Sequence, residues 1–190
     1  FLGGIVTTAC LPVGILPRQA TAEGCGTCRA CLAACPGGAL TGEYELDARR
    51  CLSYLTIENR AAIPGELRSC VGTWVCGCDE CQQVCPWNRE AQPGRRPFLA
   101  FDAERFAPRL EDLLALTLER FRTWYGGTPV ERVTYEGMLR NACVAAGNSG
   151  ETALCVPLRR LARGGTALVR EHAEWALGQL DSVKRRRVAT

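Results

Sequence analysis

Apolar positions in the second half of the chain recur with the period of an α-helix. Two short stretches each carry one apolar face, and three longer stretches follow them. The predicted helices span residues 110–116, 118–124, 129–146, 151–162 and 167–180. The last helix should bury a stripe formed by Val169, Ala173, Ala176, Leu177 and Leu180. The pattern predicts that the second half of the chain is helical throughout.

Proline and glycine mark the expected ends of these helices. Thr128 and Pro129 suit an N-cap followed by the first helical position. Gly147 and Gly164 lie where C-terminal caps belong. Pro157 falls inside a predicted helix, so it should kink that helix or delay its start.

The first half of the chain shows far less periodicity. Residues 10–24 carry prolines and small residues typical of a linker. Turns at 37–42 should precede a short strand at 44–46, and short helices are expected at 51–59 and 65–71. Because this half lacks a large apolar core, we expect bound groups to organise it.

The cysteines of the first half supply the ligands for such groups. The run from Cys25 to Pro36 is C-x2-C-x2-C-x3-C-P, the bacterial ferredoxin spacing, whose fourth thiolate ligates the other of two 4Fe–4S clusters. A second run extends from Cys78 to Pro86. Two cubes need eight thiolates, so we expect one cluster on Cys25, Cys28, Cys31 and Cys85 and the other on Cys35, Cys51, Cys78 and Cys81.

Cys76 competes with Cys51 for the last position, although its spacing of two residues from Cys78 gives poor reach around a cube. Other metals and disulfides fit the cysteines less well. Zinc prefers pairs of C-x2-C and needs four ligands per ion. Disulfides need an oxidising compartment, and thirteen cysteines is an odd number. Cys143 and Cys155 fall in helical patterns and fit the apolar core.

The composition of the chain indicates the cellular compartment in which the protein works. No apolar run is long enough to cross a membrane, and unpaired thiols without an export signal favour the cytoplasm. Because the chain begins with Phe1 and its only methionine is Met138, we expect a fragment or a processed product. We also expect it to be a monomer. Charge is segregated, with a net charge of −3 in residues 21–90, from six arginines and nine acids, and +4 in residues 151–190, from eight basic and four acidic residues.

Several motifs carry a resemblance to known families. The segments Arg140–Asn148, Val156–Leu161 and Val169–Leu180 are similar to a HEAT-like repeat over about 137–181. The chain as a whole resembles the epoxyqueuosine reductases, cobalamin-dependent enzymes of tRNA modification. The matching motifs are Leu46–Cys51, Ser53–Glu58, Ile63–Pro64, Gly77–Gln82 and Cys85–Asn88.

The resemblance implies a fold and a function. It implies an α+β chain, mostly α, with the end of an upstream domain and a linker at 1–20, a ferredoxin-like module for two 4Fe–4S clusters at 21–97 and a helical domain at 98–190. It implies reduction of epoxyqueuosine to queuosine at the tRNA wobble position, with electrons passing through both clusters to cobalamin. A flavodoxin or ferredoxin system would supply those electrons.

The resemblance also implies roles for particular residues. Ser53, Glu58, Gly77 and Cys78 should lie near the corrin, whereas the family's acidic proton donor lies upstream, so no catalytic acid is expected here. Candidate RNA contacts, supported by the basic charge, are Arg140, Arg159, Arg160 and Arg170. His172 should be structural rather than a metal ligand.

Two other function classes stay open on the residues alone. One is a ferredoxin-type electron-transfer protein with a helical adaptor, although such a protein would not need the match from Ser53 to Glu58. The other is a reductive dehalogenase-like enzyme, which also joins cobalamin to two clusters. The repeat and the cytoplasmic setting argue against the dehalogenase.

Overall fold

The computed structural model describes residues 6–10, 24–89 and 107–188. Most of the predicted linker at 10–24, and of the predicted end of an upstream domain at 1–20, lies outside these residues. The expected domain boundary at 97 lies outside them as well. None of the described helices is both long and apolar enough to span a membrane.

A small hairpin is the β-structure of the described cluster module. Strands β1 (Leu40–Gly42) and β2 (Glu45–Leu46) pair antiparallel, with Leu40 opposite Leu46 and a register irregularity before Gly42. Tyr44 makes the turn at a φ of 60°. The strand predicted at 44–46 is confirmed over Glu45–Leu46, with Tyr44 in the turn. The prediction of turns alone at 37–42 is wrong, since pairing with β2 extends residues 40–42.

Short helices carry the rest of the module. They are α1 (Ala30–Ala34), α2 (Gly65–Arg68) and α3 (Glu80–Gln83), with a π-helix at Tyr54–Glu58 and 3-10 turns at Ala48–Arg50 and Pro86–Asn88. The helix predicted at 51–59 contains the π-helix, a form that is frequent at functional sites. The helix predicted at 65–71 ends earlier, at Arg68, and turns follow up to Thr73, with Gly72 at a φ of +57°.

The second half of the described chain is helical, as predicted. Its helices are α4 (Leu110–Leu114), α5 (Leu118–Tyr125), α6 (Tyr135–Ser149), α7 (Cys155–Gly164) and α8 (Ala167–Val188). Short 3-10 segments at Pro129–Val133 and Thr152–Leu154 precede α6 and α7. Helix α8 packs against both α6 and α7.

The continuous helix predicted at 129–146 is interrupted. Thr134 takes a φ of +66°, and its hydroxyl accepts the N–H of Gly137 at 3.2 Å, so it caps a new helix rather than continuing the old one. The predicted cap at Gly147 is also wrong, because α6 continues to Ser149 and Gly150 adopts the left-handed conformation after it. Gly147 is a packing position, where a Cβ atom would lie 2.8 Å from the Cα of Ala176.

Proline delays the next helix, as the sequence indicated. Pro157 is the third residue of α7, so the helix starts four residues after the predicted position. Gly164 ends α7, and Gly165 caps it by donating its N–H to the Leu161 carbonyl at 2.8 Å. In α8 the predicted stripe is buried except for Leu177, which is half-buried.

Helix α6 lies between two apolar cores. Every residue from Gly137 to Gly147 is buried. One core joins α6 to the other helices through residues that include Met138 and Leu158. The other joins Val144 of α6 to Leu52, Leu55, Ile63, Leu67 and Val71 of the cluster module. The second half of the module therefore packs as an extension of the helical region.

Candidate functional site

Four of the predicted ligands line one small cavity at the surface. Its volume is about 50 Å³, and it is bordered by Ala30, Pro86, Trp87 and the thiols of Cys25, Cys28, Cys31 and Cys85. A tight turn, in which the Cys28 N–H donates to the Cys25 carbonyl at 2.9 Å, shapes the loop that carries the first thiols. This is the set expected from the crossed ferredoxin spacing.

The other four predicted ligands influence one another electrostatically. Burial is the main cause that raises the pKa of Cys78. A backbone hydrogen bond from Glu80 lowers it, whereas the charges of Glu80, Cys51 and Cys81 raise it. Burial also raises the pKa of Cys81, with further contributions from Cys51 and Cys35. Such mutual effects require short separations between thiols. These effects support the prediction that Cys35, Cys51, Cys78 and Cys81 form the second group of ligands.

Contact between two backbone segments brings Cys35 and Cys51 together. The Arg50 guanidinium donates to the Gly37 carbonyl at 2.9 Å. Gly37 allows this approach because a Cβ atom there would lie 2.2 Å from the Arg50 carbonyl oxygen. The Cys35 sulfur also accepts the N–H of Ala39 at 3.2 Å, which orients that thiol.

The donor set suits iron–sulfur cubes. Within the described parts of the chain, no three Cys, His, Asp or Glu side chains group as they would around a single metal ion. A cube binds one thiolate at each of its irons, so its ligands stand farther apart than those of a tetrahedral zinc. Two groups of four thiols thus match the stoichiometry of two cubes.

Cys76, the rival ligand, faces a different cavity. That cavity has a volume of about 530 Å³, and its lining includes Trp74, Leu110, Tyr125 and Met138. Burial raises the pKa of the Cys76 thiol, as it does for Cys78 and Cys81, so the cavity that Cys76 lines, and not its pKa, distinguishes it from the predicted ligands.

Three of the four residues predicted near the corrin lie together. The Ser53 hydroxyl accepts the N–H of Cys78 at 2.9 Å and lies 3.0 Å from the carbonyl of the same residue. Gly77 has a φ of +80°, a conformation that favours glycine. Glu58 stands apart from this group and forms an ion pair with Arg132.

Sequence reasoning missed Thr56 as a member of this group. Thr56 is fully buried, and its hydroxyl accepts the N–H of Gly77 at 3.0 Å while donating to the Leu52 carbonyl at 2.7 Å. A polar residue one helical turn after Ser53, in an otherwise apolar segment, was the available signal.

Arg140 is not at the surface, so its predicted role as an RNA contact is wrong. Its guanidinium is fully buried and donates to the carbonyls of Leu55, Asn59 and Ala61 at 2.7 Å. Burial, with a smaller effect of Arg60, lowers its pKa to about 10, so it stays charged at neutral pH. Arg140 holds the module against α6.

His172 is structural, as the sequence indicated. It is fully buried, its Nε2 accepts the N–H of Ile63 at 3.1 Å, and its Nδ1 lies 2.7 Å from the Leu168 carbonyl. Beside it, Arg68 forms an ion pair with Glu171 and donates to the Ile63 carbonyl at 2.8 Å. These bonds fasten the module to α8.

The remaining predicted RNA contacts are exposed arginines. Arg159 and Arg160 border an open groove of about 560 Å³ on α7, together with Arg163. Arg170 is exposed on α8. Three neighbouring guanidinium groups give this groove a positive potential.

The family of the thiol-bearing segment is clear from sequence comparison. Residues 24–88 match the family described as a 4Fe-4S double cluster binding domain. With two groups of four thiols and a helical region packed behind them, the chain is an iron–sulfur protein of the two-cluster class.

Curated relatives identify the family of the whole chain. An epoxyqueuosine reductase from Pseudomonas aeruginosa is 46% identical over 179 residues, which cover 93% of this chain and 48% of the relative. The epoxyqueuosine reductase of Escherichia coli is 40% identical over 179 residues, covering 94% and 46%. The chain thus spans about half the length of these relatives, and over that span it belongs to the epoxyqueuosine reductase family.

A solved structure agrees with this assignment. The crystal structure of an epoxyqueuosine reductase with an epoxyqueuosine-modified stem loop of tyrosine tRNA matches with a TM-score of 0.77 and 33% identity. The match covers 83% of this chain and 42% of that one. Sequence and fold therefore indicate the same family.

Proposed function

We propose that this chain is the electron-relay and tRNA-binding part of an epoxyqueuosine reductase. Its substrate would be epoxyqueuosine at the wobble position of a tRNA, which is reduced to queuosine with cobalamin and two 4Fe–4S clusters. The observation that carries the proposal is the presence of two four-thiol groups in a chain that belongs to this family over its span.

The proposed ligands follow the crossed pattern. Cys25, Cys28, Cys31 and Cys85 hold the first cluster, and their common cavity supports this set. Cys35, Cys51, Cys78 and Cys81 hold the second cluster, and their mutual electrostatic effects support that set. Because each cysteine run supplies a ligand to the other cluster, the two cubes are held within one folded unit.

Iron analysis and spectroscopy test this ligand assignment. Anaerobically prepared protein should hold about eight irons and eight sulfides per chain. Cys35→Ala should perturb the same spectroscopic centre as Cys78→Ala, whereas Cys25→Ala should perturb the other. Cys76→Ala is the matched control and should leave both clusters in place. About four irons per chain, or bound zinc instead, would refute the two-cluster assignment.

We further propose that Ser53, Gly77 and Cys78 border the bound cobalamin, with Glu58 at its margin. When bound, cobalamin supplies the reduced cobalt that drives loss of the epoxide oxygen. Ser53 holds the backbone of Cys78 by accepting its N–H and donating to its carbonyl. Gly77 presents bare backbone, which a flat macrocycle can approach closely.

The proposed RNA surface consists of Arg159, Arg160 and Arg170. Helix α8 packs against both α6 and α7, which supports the proposal that the three helices form a HEAT-like repeat presenting these arginines. Affinity for tRNA should then fall with salt, with a log–log slope proportional to the number of phosphate contacts. Replacing Arg159 and Arg160 together by alanine should flatten that slope. An unchanged slope and affinity would assign both arginines to a solvated surface.

The compartment, the oligomeric state, the electron donor and the domain organisation are also proposed. We propose a cytoplasmic monomer, since free thiols persist in a reducing compartment. A flavodoxin or ferredoxin system is the proposed electron donor. The division into 1–20, 21–97 and 98–190 stays the proposed domain organisation.

Turnover tests the proposed activity directly. The assay is anaerobic incubation with epoxyqueuosine-containing tRNA, cobalamin and a strong reductant, followed by nucleoside mass spectrometry. We expect no queuosine from the 190-residue chain alone and formation of queuosine by a form with the length of the relatives. In the longer form, Cys78→Ala should abolish the product. Full turnover by the short chain would overturn the proposed division of labour.

A further inference from the structure

Asn141 of α6 connects the helical region to two separate segments of the cluster module. It is fully buried, and its amide nitrogen donates to the carbonyls of Thr56 and Val75, each at 2.7 Å. Its oxygen accepts from Arg140 at 3.0 and 2.9 Å. Both donors and both lone pairs of the amide are therefore used, so the side chain has one orientation.

The two segments that Asn141 holds meet again at Cys78. Thr56 accepts the N–H of Gly77 at 3.0 Å, and Ser53 accepts the N–H of Cys78 at 2.9 Å. The backbone that enters Cys78 is thus tied to the π-helix by two hydroxyl groups. Asn141 fixes the π-helix relative to Val75, three residues before Cys78.

We propose that Asn141 is a positioning residue for the second cluster, acting through Thr56 and Val75 on the Cys78 ligand. The inference rests on the proposed ligand set, in which Cys78 belongs to the second cluster. Hydrogen bonds around ligands orient them, and hydrogen bonding and solvent exposure set cluster potentials. Loss of the Asn141 amide therefore affects the second cluster selectively and leaves the first cluster unchanged.

The same helix offers a matched control. The Asn148 amide donates to the carbonyls of Arg68 and Gly72, at 2.8 and 2.9 Å. It forms the same double contact with the same module, but neither carbonyl lies beside a proposed ligand. Asn148→Ala therefore reproduces the loss of the two donated interface hydrogen bonds without disturbing the approach to Cys78. The two bonds that Asn141 accepts from Arg140 have no counterpart at Asn148.

The experiment compares wild type, Asn141→Ala and Asn148→Ala, each reconstituted with iron and sulfide under anaerobic conditions. The readouts are EPR-monitored redox titration and the rate at which each cluster loses iron to a chelator. The two EPR signals are assigned with Cys25→Ala and Cys35→Ala.

In Asn141→Ala we expect the second cluster to lose iron about tenfold more readily. Its reduction equilibrium should also change by about tenfold, or about 59 mV for a one-electron couple. The first cluster, and both clusters of Asn148→Ala, should behave as in the wild type.

Thr56 provides a second, smaller change. Thr56→Val removes the acceptor of the Gly77 N–H while keeping the side-chain shape, and Thr56→Ser restores the hydroxyl. The valine variant should reproduce the selective effect and the serine variant should abolish it. Equal effects on both clusters, equal effects of the two asparagine variants, or no effect of Thr56→Val would each overturn the inference. A wild type without two cubes would instead overturn the proposed function, and this inference with it.

Discussion

The thiol segment and the helical region are stabilised in different ways. Between residues 24 and 51, Gly37 and Ala39 are the buried residues, and regular structure is limited to α1, a hairpin and a 3-10 turn. In α6, by contrast, eleven consecutive residues are buried. A chain can do without an apolar core where bonds from thiolates to iron cross-link it, whereas the helices depend on buried apolar area.

Residues 52–78 are intermediate between the sparsely buried thiol segment and the fully buried helix α6. Their apolar side chains share a core with Val144, and buried side chains of α6 and α8 bind their backbone carbonyls and N–H groups. Packing against the helices therefore fixes the conformation of this segment, and the segment in turn positions Cys78. One edge of the proposed cluster site is thus preformed by the helical region.

Removal of the clusters should produce the largest difference in stability between the two regions. In apo-protein, amides from Cys25 to Cys51 should lose nearly all protection from hydrogen exchange, because few buried contacts remain there. Amides of α6 should keep theirs. Hydrogen exchange followed by mass spectrometry, on apo- and holoprotein, measures both. Equal loss of protection in α6 would show that the helices also depend on the clusters.

Arg140→Met tests the contact between the regions. It leaves the carbonyls of Leu55, Asn59 and Ala61 without their buried partner. Each unsatisfied buried carbonyl costs about 1–3 kcal/mol, so the free energy of unfolding should fall by roughly 4 kcal/mol. Urea denaturation of the holoprotein measures the change. Arg159→Met, at an exposed position, should stay within about 0.5 kcal/mol of wild type. A similar small effect at Arg140 would mean that the contact contributes little.

His172 should make stability depend on pH. Burial is the main cause that lowers its pKa to about 4, with Arg68 and Arg140 acting in the same direction and Glu171 opposing. Because the unfolded state binds the proton more tightly, stability should be complete above pH 6.5 and fall by on the order of 3 kcal/mol as pH drops towards 4.

Denaturation at a series of pH values, with wild type and His172→Gln in parallel, isolates this contribution. Acid lability of the clusters is common to both proteins, so the difference between them reports His172. The glutamine variant should lack the decline assigned to the histidine. Identical pH profiles would place the histidine in an environment close to water.

Gly147→Ala should give the smallest effect of the four. The added Cβ would lie 2.8 Å from the Ala176 Cα and from the Trp175 ring, forcing α6 and α8 apart at a cost of about 2 kcal/mol. Gly178→Ala on α8 is the control, since no atom lies within 4 Å of its Cβ position. That variant should gain up to about 1 kcal/mol from helix propensity. Equal thermal shifts for both variants would argue against close packing at Gly147.

Much of the candidate site could be predicted from the chain because cluster-binding thiols follow local spacing. The run from Cys25 to Cys35 predicts two cubes, and the family match over 24–88 agrees. Helical periodicity likewise predicted the second half of the chain, since each helix hydrogen-bonds to itself. The ends of helices were less predictable, as at Thr134 and Gly147, where a side-chain cap and a neighbouring helix decide.

The class of bound group, the helical character of the second half and the family follow from the amino-acid sequence, because these depend on spacing and pattern along the chain. Which polar residues face solvent is set only when the chain folds. Arg140 and Arg159 look alike in the sequence, but one lies buried against three carbonyls and the other lines an open groove. Burial depends on which distant segments meet, and local sequence does not encode that meeting.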